Sequence, residues 1–167
     1  MLTPDFYYES VYMIPYADLW QNNYRALIFD LDNTLAPHEV LKPPAKVVAL
    51  IKRLHKIGFK VCILTNNTKK RVRTYNEGLQ VTAIHCALKP FAFGVNRAIK
   101  ALGHTRDQTI IIGDQLFSDI WAGKNARITT ILVKPLTTRD VITVRIKRLP
   151  ERLLLKRYFR KLAEEVK

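Results

Sequence analysis

The stretch that most constrains this chain is residues 26–35, Ala-Leu-Ile-Phe-Asp-Leu-Asp-Asn-Thr-Leu. Ala26 to Phe29 is a short apolar run of the kind that is buried on both faces of a parallel sheet. It ends in two carboxylates one residue apart, Asp30 and Asp32, followed by Asn33 and Thr34. Ionised aspartates at the end of a buried strand repel each other and lose hydration, so a compensating charge is needed. A divalent cation supplies it most simply, and hard oxygen donors suit Mg²⁺. Open α/β sheets also bind their ligands at the carboxyl ends of strands. Asp and Asn favour turns and caps as well, so taken alone the motif does not separate a metal site from a turn.

Downstream, apolar runs and amphipathic segments alternate. Pro43-Pro44 suits a helix start, Val47, Val48, Leu50, Ile51, Leu54 and Ile57 supply its apolar stripe, and Gly58 is placed to stop it. Phe59 to Leu64 reads as a second strand, and Thr68 caps a basic helix from Lys69 to Leu79. Val81 to Cys86 is a weaker third strand. Lys89-Pro90 opens a helix running to Gly103, and Thr109 to Ile112 is a fourth strand. A helix from about Ser118 to Ala126 leads to a fifth strand, Thr129 to Val133. This alternation predicts right-handed βαβ units in an α/β, Rossmann-like three-layer sandwich with a mainly parallel five-stranded sheet. Polar residues recur just past the strands: Asp30 and Asp32 after the first, Thr65 after the second, Lys89 after the third, Asp114 and Asp119 after the fourth. If the strands are neighbours, these side chains converge on one cleft.

Together they form a set that can act on a phosphoryl group. An aspartate such as Asp30 is a competent nucleophile toward phosphorus and forms an aspartyl-phosphate. Asp32 can serve as acid for the leaving alcohol and then as base for water. Mg²⁺ held by Asp30, Asp114 and water would screen phosphate from nucleophile, with Lys89 and the Thr65 hydroxyl on phosphoryl oxygens. Taken singly, Thr65-Asn66-Asn67 is also an ordinary turn, Lys89 a solvated lysine before a helix, and Gly113-Asp114 a strand-to-helix turn. Their order, each at the same edge, favours the catalytic reading.

Asp30-Leu-Asp-Asn-Thr, Thr65, Lys89-Pro90 and Gly113-Asp-Gln-Leu-Phe-Ser-Asp119 resemble the four motifs of the haloacid-dehalogenase superfamily of phosphatases, over residues 26–133. The resemblance implies Asp30 as nucleophile and Asp32 as general acid/base. It implies Mg²⁺ bound by Asp30, the Asp32 main-chain carbonyl and Asp114, with Asp119 supporting the metal. Thr65, Asn66 and Lys89 would hold the phosphoryl group. Asp at position 32 favours a phosphatase over the dehalogenase branch, which lacks that acid. Only 32 residues separate Asp32 from Thr65 and 23 separate Thr65 from Lys89, both already filled by predicted elements. An inserted cap needs about 50 residues or more, so no cap domain is expected. An open cleft suits a phosphate carried on something large. The whole chain also resembles the YqeG-like branch of the superfamily, similar to the phosphatidylglycerophosphate phosphatase of mitochondria, which implies a phosphatidylglycerophosphate substrate.

The chain divides into an aromatic N-terminal arm (residues 1–25), the catalytic core (26–135) and a basic tail (136–167). Tyr8, Tyr12, Tyr16, Trp20 and Tyr24 recur every fourth residue, but Pro15 interrupts a single helix. These rings suit packing on the core or a membrane interface. In the tail, Leu155, Tyr158, Phe159, Leu162 and Val166 share one helical arc, with Arg152, Lys156, Arg157, Arg160 and Lys161 opposite. That pattern fits an anionic membrane surface or a helix packed on the domain with its charges in water. The formal net charge of +14 attracts polyanions without choosing among lipid, nucleic acid and phosphorylated substrate. Competing functions are therefore a phosphatase for a nucleic-acid end or a phosphoprotein, and a basic RNA- or ribosome-binding module with a vestigial site. No run approaches the roughly 18–20 apolar residues that span a bilayer, and no signal peptide is evident. Cys62 and Cys86 sit in apolar runs and read as buried thiols of a reducing compartment. The expected location is cytoplasmic, peripheral at the inner face of the membrane if the tail binds there. His38, just after the Asp pair, is the one histidine expected near a substrate.

Overall fold

In a computed structural model, which describes residues 2–137, strands β1 (Phe6–Tyr8), β2 (Ala26–Phe29), β3 (Lys60–Leu64), β4 (Thr82–Ile84), β5 (Thr109–Gly113) and β6 (Thr129–Val133) form one sheet. Their order is β1-β6-β5-β2-β3-β4 and every pairing is parallel. The predicted tail beyond residue 137 lies outside the described residues. The apolar run that opens the motif became the central strand. All four residues of β2 are buried, and it pairs β3 on one side (Phe29 with Ile63) and β5 on the other (Phe29 with Ile112). From β2 the chain winds outward to β3 and β4, then returns to start β5 beside β2. The direction of winding therefore reverses between β2 and β5, and the crevice at that switch point is where such sheets bind ligands.

Alternate residues of each strand feed the two faces. Leu27, Phe29, Val61, Ile63, Ile110 and Ile112 pack with Val47, Leu50, Ile51 and Leu54 of helix α2 (Ala45–Ile57). Ile28, Cys62, Leu64 and Ile111 pack with Val95, Ala98, Ile99 and Leu102 of helix α4 (Ala92–Leu102) and with Ala122 of α5 (Trp121–Asn125). The result is the expected three layers. Gly58 ends α2 with φ 119°, a conformation that side-chain-bearing residues rarely adopt, and the Trp20 ring lies against it. Helix α3 (Lys69–Asn76) begins where Thr68 caps it, accepting from the Arg71 N–H at 3.4 Å.

The sheet has six strands where five were expected. The sixth, β1, comes from the aromatic arm, and its three residues are too few to show a period. Asp5 fixes it by accepting from the Thr130 N–H and hydroxyl, both at 2.8 Å, while Lys124 Nζ lies 2.5 Å from its other oxygen. The arm continues into helix α1 (Tyr16–Gln21), and its rings pack on the core. Tyr16 is buried and donates to the Val11 carbonyl at 2.7 Å, Trp20 meets Phe59 edge-on, and the Tyr24 hydroxyl pairs with Thr129. Cys62 is buried as expected, its thiol pushed up to about 12 by burial. Cys86 is exposed, correcting the expectation: β4 stops at Ile84, and the chain turns outward through Cys86 at φ 47°.

Candidate active site

The register explains how residues far apart in sequence meet. Asp30 directly follows β2 and its N–H donates to the Ile112 carbonyl at 2.9 Å, so Asp30 and Asp114 leave adjacent strands side by side. One carboxylate oxygen each from Asp30, Asp114 and Asp119 lies within 4.8 Å of the others, and all three residues are buried. Asp119 reaches the cluster from a single π-helical turn, Leu116–Ile120, and accepts from the Gln115 N–H at 3.0 Å. Such turns are rare and gather at functional sites. A Cβ on Gly113 would collide with the Asp119 carboxylate, so the missing side chain is what lets Asp119 fold back over the strand end. Thr34 donates to Asp114 Oδ1 at 3.2 Å.

Lys89 closes the cluster from the opposite side. Its buried ammonium lies 2.5 Å from Asp30 Oδ1 and 2.6 Å from Asp119 Oδ1, and donates to the Leu64 carbonyl at 3.1 Å. Cys86 (φ 47°) and Leu88 (φ 58°) both take left-handed conformations to deliver it, backbone strain of a kind that collects at functional sites. Asn66 holds the loop: its side chain accepts from the Lys89 N–H at 2.8 Å and donates to the Lys89 carbonyl at 3.0 Å. These two bonds use one N–H and one lone pair of the amide and fix Asn66 beside Lys89, with which the sequence grouped it. Thr65 is buried at the end of β3, its hydroxyl accepting from the Asn67 N–H at 3.1 Å.

Burial raises the Asp30 carboxyl above the usual range; Lys89 opposes this, and the nearby Asp119 and Asp32 charges add to it. Burial disfavours the Lys89 cation, but the two carboxylates beside it outweigh that and hold it protonated. The three aspartates and one lysine carry a formal charge of −2 when ionised. A divalent cation would neutralise that charge, and an all-carboxylate donor set is the hard oxygen environment Mg²⁺ takes. The cluster thus fits the Mg²⁺ expected from the sequence.

Asp32 stands apart from the trio. Arg71 Nη2 lies 3.2 Å from its Oδ1, Asn67 donates to its Oδ2 at 3.1 Å, and His38 Nδ1 lies 3.3 Å from Oδ1. His38 is the histidine the sequence had placed near the substrate. Arg71 was missed there, within a run read only as a basic helix. Its neighbours Val72 and Tyr75 give the signal: they are the buried stripe of α3, and position 71 lies on that stripe. Arg71 is itself buried, over the Tyr75 ring, with Nε and Nη1 lacking hydrogen-bond partners.

The haloacid dehalogenase-like hydrolase model matches residues 36–133. The chain belongs to that family, and its place in it is among the phosphatases. It is 31% identical over 158 residues to YqeG of Bacillus subtilis, described as a probable phosphatase, covering 95% of this chain and 92% of that one. It is also 27% identical over 167 residues to phosphatidylglycerophosphate phosphatase 1, chloroplastic/mitochondrial, of Arabidopsis thaliana, covering 91% of this chain and 47% of the relative. Among solved structures, the fold matches that of Bacillus subtilis YfnB bound to magnesium with a TM-score of 0.59 at 15% identity, over 72% of this chain and 91% of that one. No inserted domain stands over the cleft among the described residues; a loop and α2 fill the β2–β3 connection, and α3 the β3–β4 one.

Proposed function

We propose that the protein is a Mg²⁺-dependent phosphomonoester hydrolase that works through an aspartyl-phosphate at Asp30, acting on a phosphate carried by a large anionic lipid such as phosphatidylglycerophosphate. The observation that carries the reading is the convergence of Asp30, Asp114 and Asp119 within 4.8 Å, with Lys89 across them. Asp30, Asp114 and the main-chain carbonyl of Asp32 would hold the ion, with Asp119 in support; the bound ion would screen phosphate from carboxylate. Lys89 and the Thr65 hydroxyl would draw charge from the phosphoryl oxygens, with Asn66 beside them. Asp30 attacks phosphorus as the P–O bond to the alcohol breaks, and Asp32 gives the alcohol oxygen its proton. Asp32 then takes a proton from water as water attacks phosphorus and the P–O bond to Asp30 breaks, returning the Asp30 carboxylate and freeing phosphate.

The lipid substrate is supported by the likeness to the plant phosphatase, by the open cleft and by the net charge of +14. The basic tail would add contact with an anionic membrane surface, and the protein would work in the cytoplasm at the inner face of the membrane. Among the described residues no helix is long and apolar enough to cross a membrane. A phosphatase for nucleic-acid ends and a ribosome-binding module are the competing readings. The deciding experiment offers the protein micellar phosphatidylglycerophosphate beside a 5′-phosphorylated oligonucleotide, with Asp30→Asn as control, and measures phosphate release. Release from the lipid, lost in the variant, is expected; release from the oligonucleotide alone would reverse the ranking.

A further inference from the structure

Large apolar side chains are exposed on the two segments that carry Lys89 and Asp119 into the cleft. Leu88 is 59% exposed, Phe91 69%, Phe93 58% and Trp121 43%. They belong to two segments joined by one buried and one exposed contact. Lys89, between Leu88 and Phe91, is bonded to Asp119, two residues before Trp121, and Asn125 donates to the Pro90 carbonyl at 3.0 Å. Asn125 is one helical turn past Trp121, so that turn of α5 faces the Pro90 loop. Phe117 meets the Trp121 ring edge-on, with centroids 6.3 Å apart. None of these residues supports the core, and isolated exposed apolar groups would need no explanation. Four of them on two joined segments next to Lys89 and Asp119 do.

Positive charge lies on the same rim. Helix α3 starts directly after Thr65–Asn67, and its first residues are Lys69 and Lys70, both exposed, then Arg71, with no acidic residue in the first turn. Cations oppose the helix dipole at an N-terminus, so this is a place where basic residues cost stability unless an anion meets them. The Asn67 carbonyl accepts from the Cys86 N–H at 3.0 Å, which joins this basic turn to the loop that carries Leu88. At the other side, the Leu136 N–H donates to the Asn33 carbonyl at 3.0 Å and the Thr137 hydroxyl to its side chain at 2.9 Å. The chain therefore leaves the described residues beside Asp32. The remaining sequence, 138–167, holds ten Lys or Arg and four Asp or Glu. Exposed aromatic and aliphatic groups flanked by lysines on a basic protein match the chemistry of an anionic bilayer interface: rings settle at the headgroup level and ammonium groups meet phosphates.

We infer that the cleft rim formed by Leu88, Phe91, Phe93 and Trp121, flanked by Lys69 and Lys70, is a docking surface for an anionic lipid bilayer, and that it sets the mouth of the cleft against the membrane. This rests on the lipid-phosphatase reading and gives that reading a geometry: the phosphate stays at the headgroup level and the protein comes down onto it. It also assigns membrane contact to the core, independently of the tail.

The test uses the full chain with metal removed by chelator, so that binding is separate from turnover. The chain has two tryptophans, so Trp20→Phe leaves Trp121 as the single reporter. With vesicles rich in phosphatidylglycerol, Trp121 emission should shift to the blue and be quenched by brominated acyl chains, while phosphatidylcholine vesicles should have little effect. Phe91→Ser/Phe93→Ser should lower vesicle affinity about tenfold or more with the tail intact. Serine suits the cap position that Phe91 holds at the start of α4, so the variant should fold. Unchanged Trp121 emission on vesicles that still sediment the protein, or a rim variant that binds like the parent, would overturn the inference. So would light scattering that finds a dimer which Phe91→Ser/Phe93→Ser dissociates, since the rim would then be covered by a second copy. Turnover of p-nitrophenyl phosphate with Mg²⁺ separates the two claims. If it persists without rim insertion, the surface falls and the phosphatase stands; insertion without turnover gives the reverse.

Discussion

Removing or adding Mg²⁺ should move the stability of the whole domain, because the cluster is buried and charged. Asp30, Asp114 and Asp119 against Lys89 leave a formal −2 in a site where none of the four residues is more than 8% exposed. The folded state alone brings these carboxylates together, so an ion that binds there stabilises folding by mass action. At a free concentration one hundred times its dissociation constant the gain is about 2.7 kcal/mol. For a chain of this size each kcal/mol raises Tm by about 2–4 °C, giving a rise of roughly 5–10 °C. The assay is thermal unfolding in chelator followed by titration with MgCl₂, for the parent and for Asp114→Asn. In chelator the variant should melt no lower than the parent, since it loses one of three like charges while Thr34 keeps an oxygen to donate to. With Mg²⁺ the order should invert, because the variant has lost a ligand. The Mg²⁺ effect should also strengthen as pH rises from 6 to 8, since the Asp30 carboxyl is held above its ordinary range and must lose its proton to bind a cation. Melting curves that overlay with and without millimolar Mg²⁺ would refute the metal assignment.

If Asp32 is the acid, as proposed, Arg71→Met should slow hydrolysis of an alkyl phosphate at least about tenfold more than that of p-nitrophenyl phosphate, because a poor leaving group depends on that acid and Arg71 bonds it; equal losses on both substrates, measured as kcat, would leave Arg71 a structural role. Burial works against the ionised Asp5 carboxyl, but bonds from Lys124 and Thr130 prevail and hold it below the usual range. Its contribution is therefore present above about pH 4 and is lost as pH falls through the lower folded value. Because the site is partly open to solvent, Asp5→Asn should cost only about 1 kcal/mol at pH 7 in urea unfolding. That gap should close toward pH 3, and a gap that widened on acidification would contradict the assignment. In the native protein a thiol reagent should label Cys86 and spare Cys62, whose thiol is buried and pushed up to about 12; two equivalents of label without unfolding would be the wrong result.

The central sheet was legible because parallel strands buried on both faces write themselves as unbroken apolar runs. Ala26–Phe29 and Thr129–Val133 fall where the apolar pattern predicts them. The convergence of Asp30, Lys89, Asp114 and Asp119 was legible for a related reason: in such a fold the polar residue after each strand must emerge at one edge. What failed lacked a periodic signal. The strand β1 has three residues and is fixed by a single aspartate whose partner, Thr130, lies 125 positions away. Cys86 looked like strand because the apolar run continues past Ile84, while the backbone has already turned. Arg71 was hidden because its charge masked its position on a buried stripe. The bonds from the Asn66 side chain to the Lys89 main chain depend on a loop geometry that no local pattern encodes.

The proposed mechanism requires a covalent bond between Asp30 and phosphorus. The direct measurement is an acid quench during turnover of a substrate carrying a radiolabelled phosphoryl group, followed by proteolysis and mass spectrometry. Label on the peptide containing Asp30, released by hydroxylamine as expected of an acyl phosphate and absent in Asp30→Asn, is the predicted result. Steady turnover by a parent protein that never carries label at Asp30, or an Asp30→Asn variant that turns over at the full rate, would contradict it.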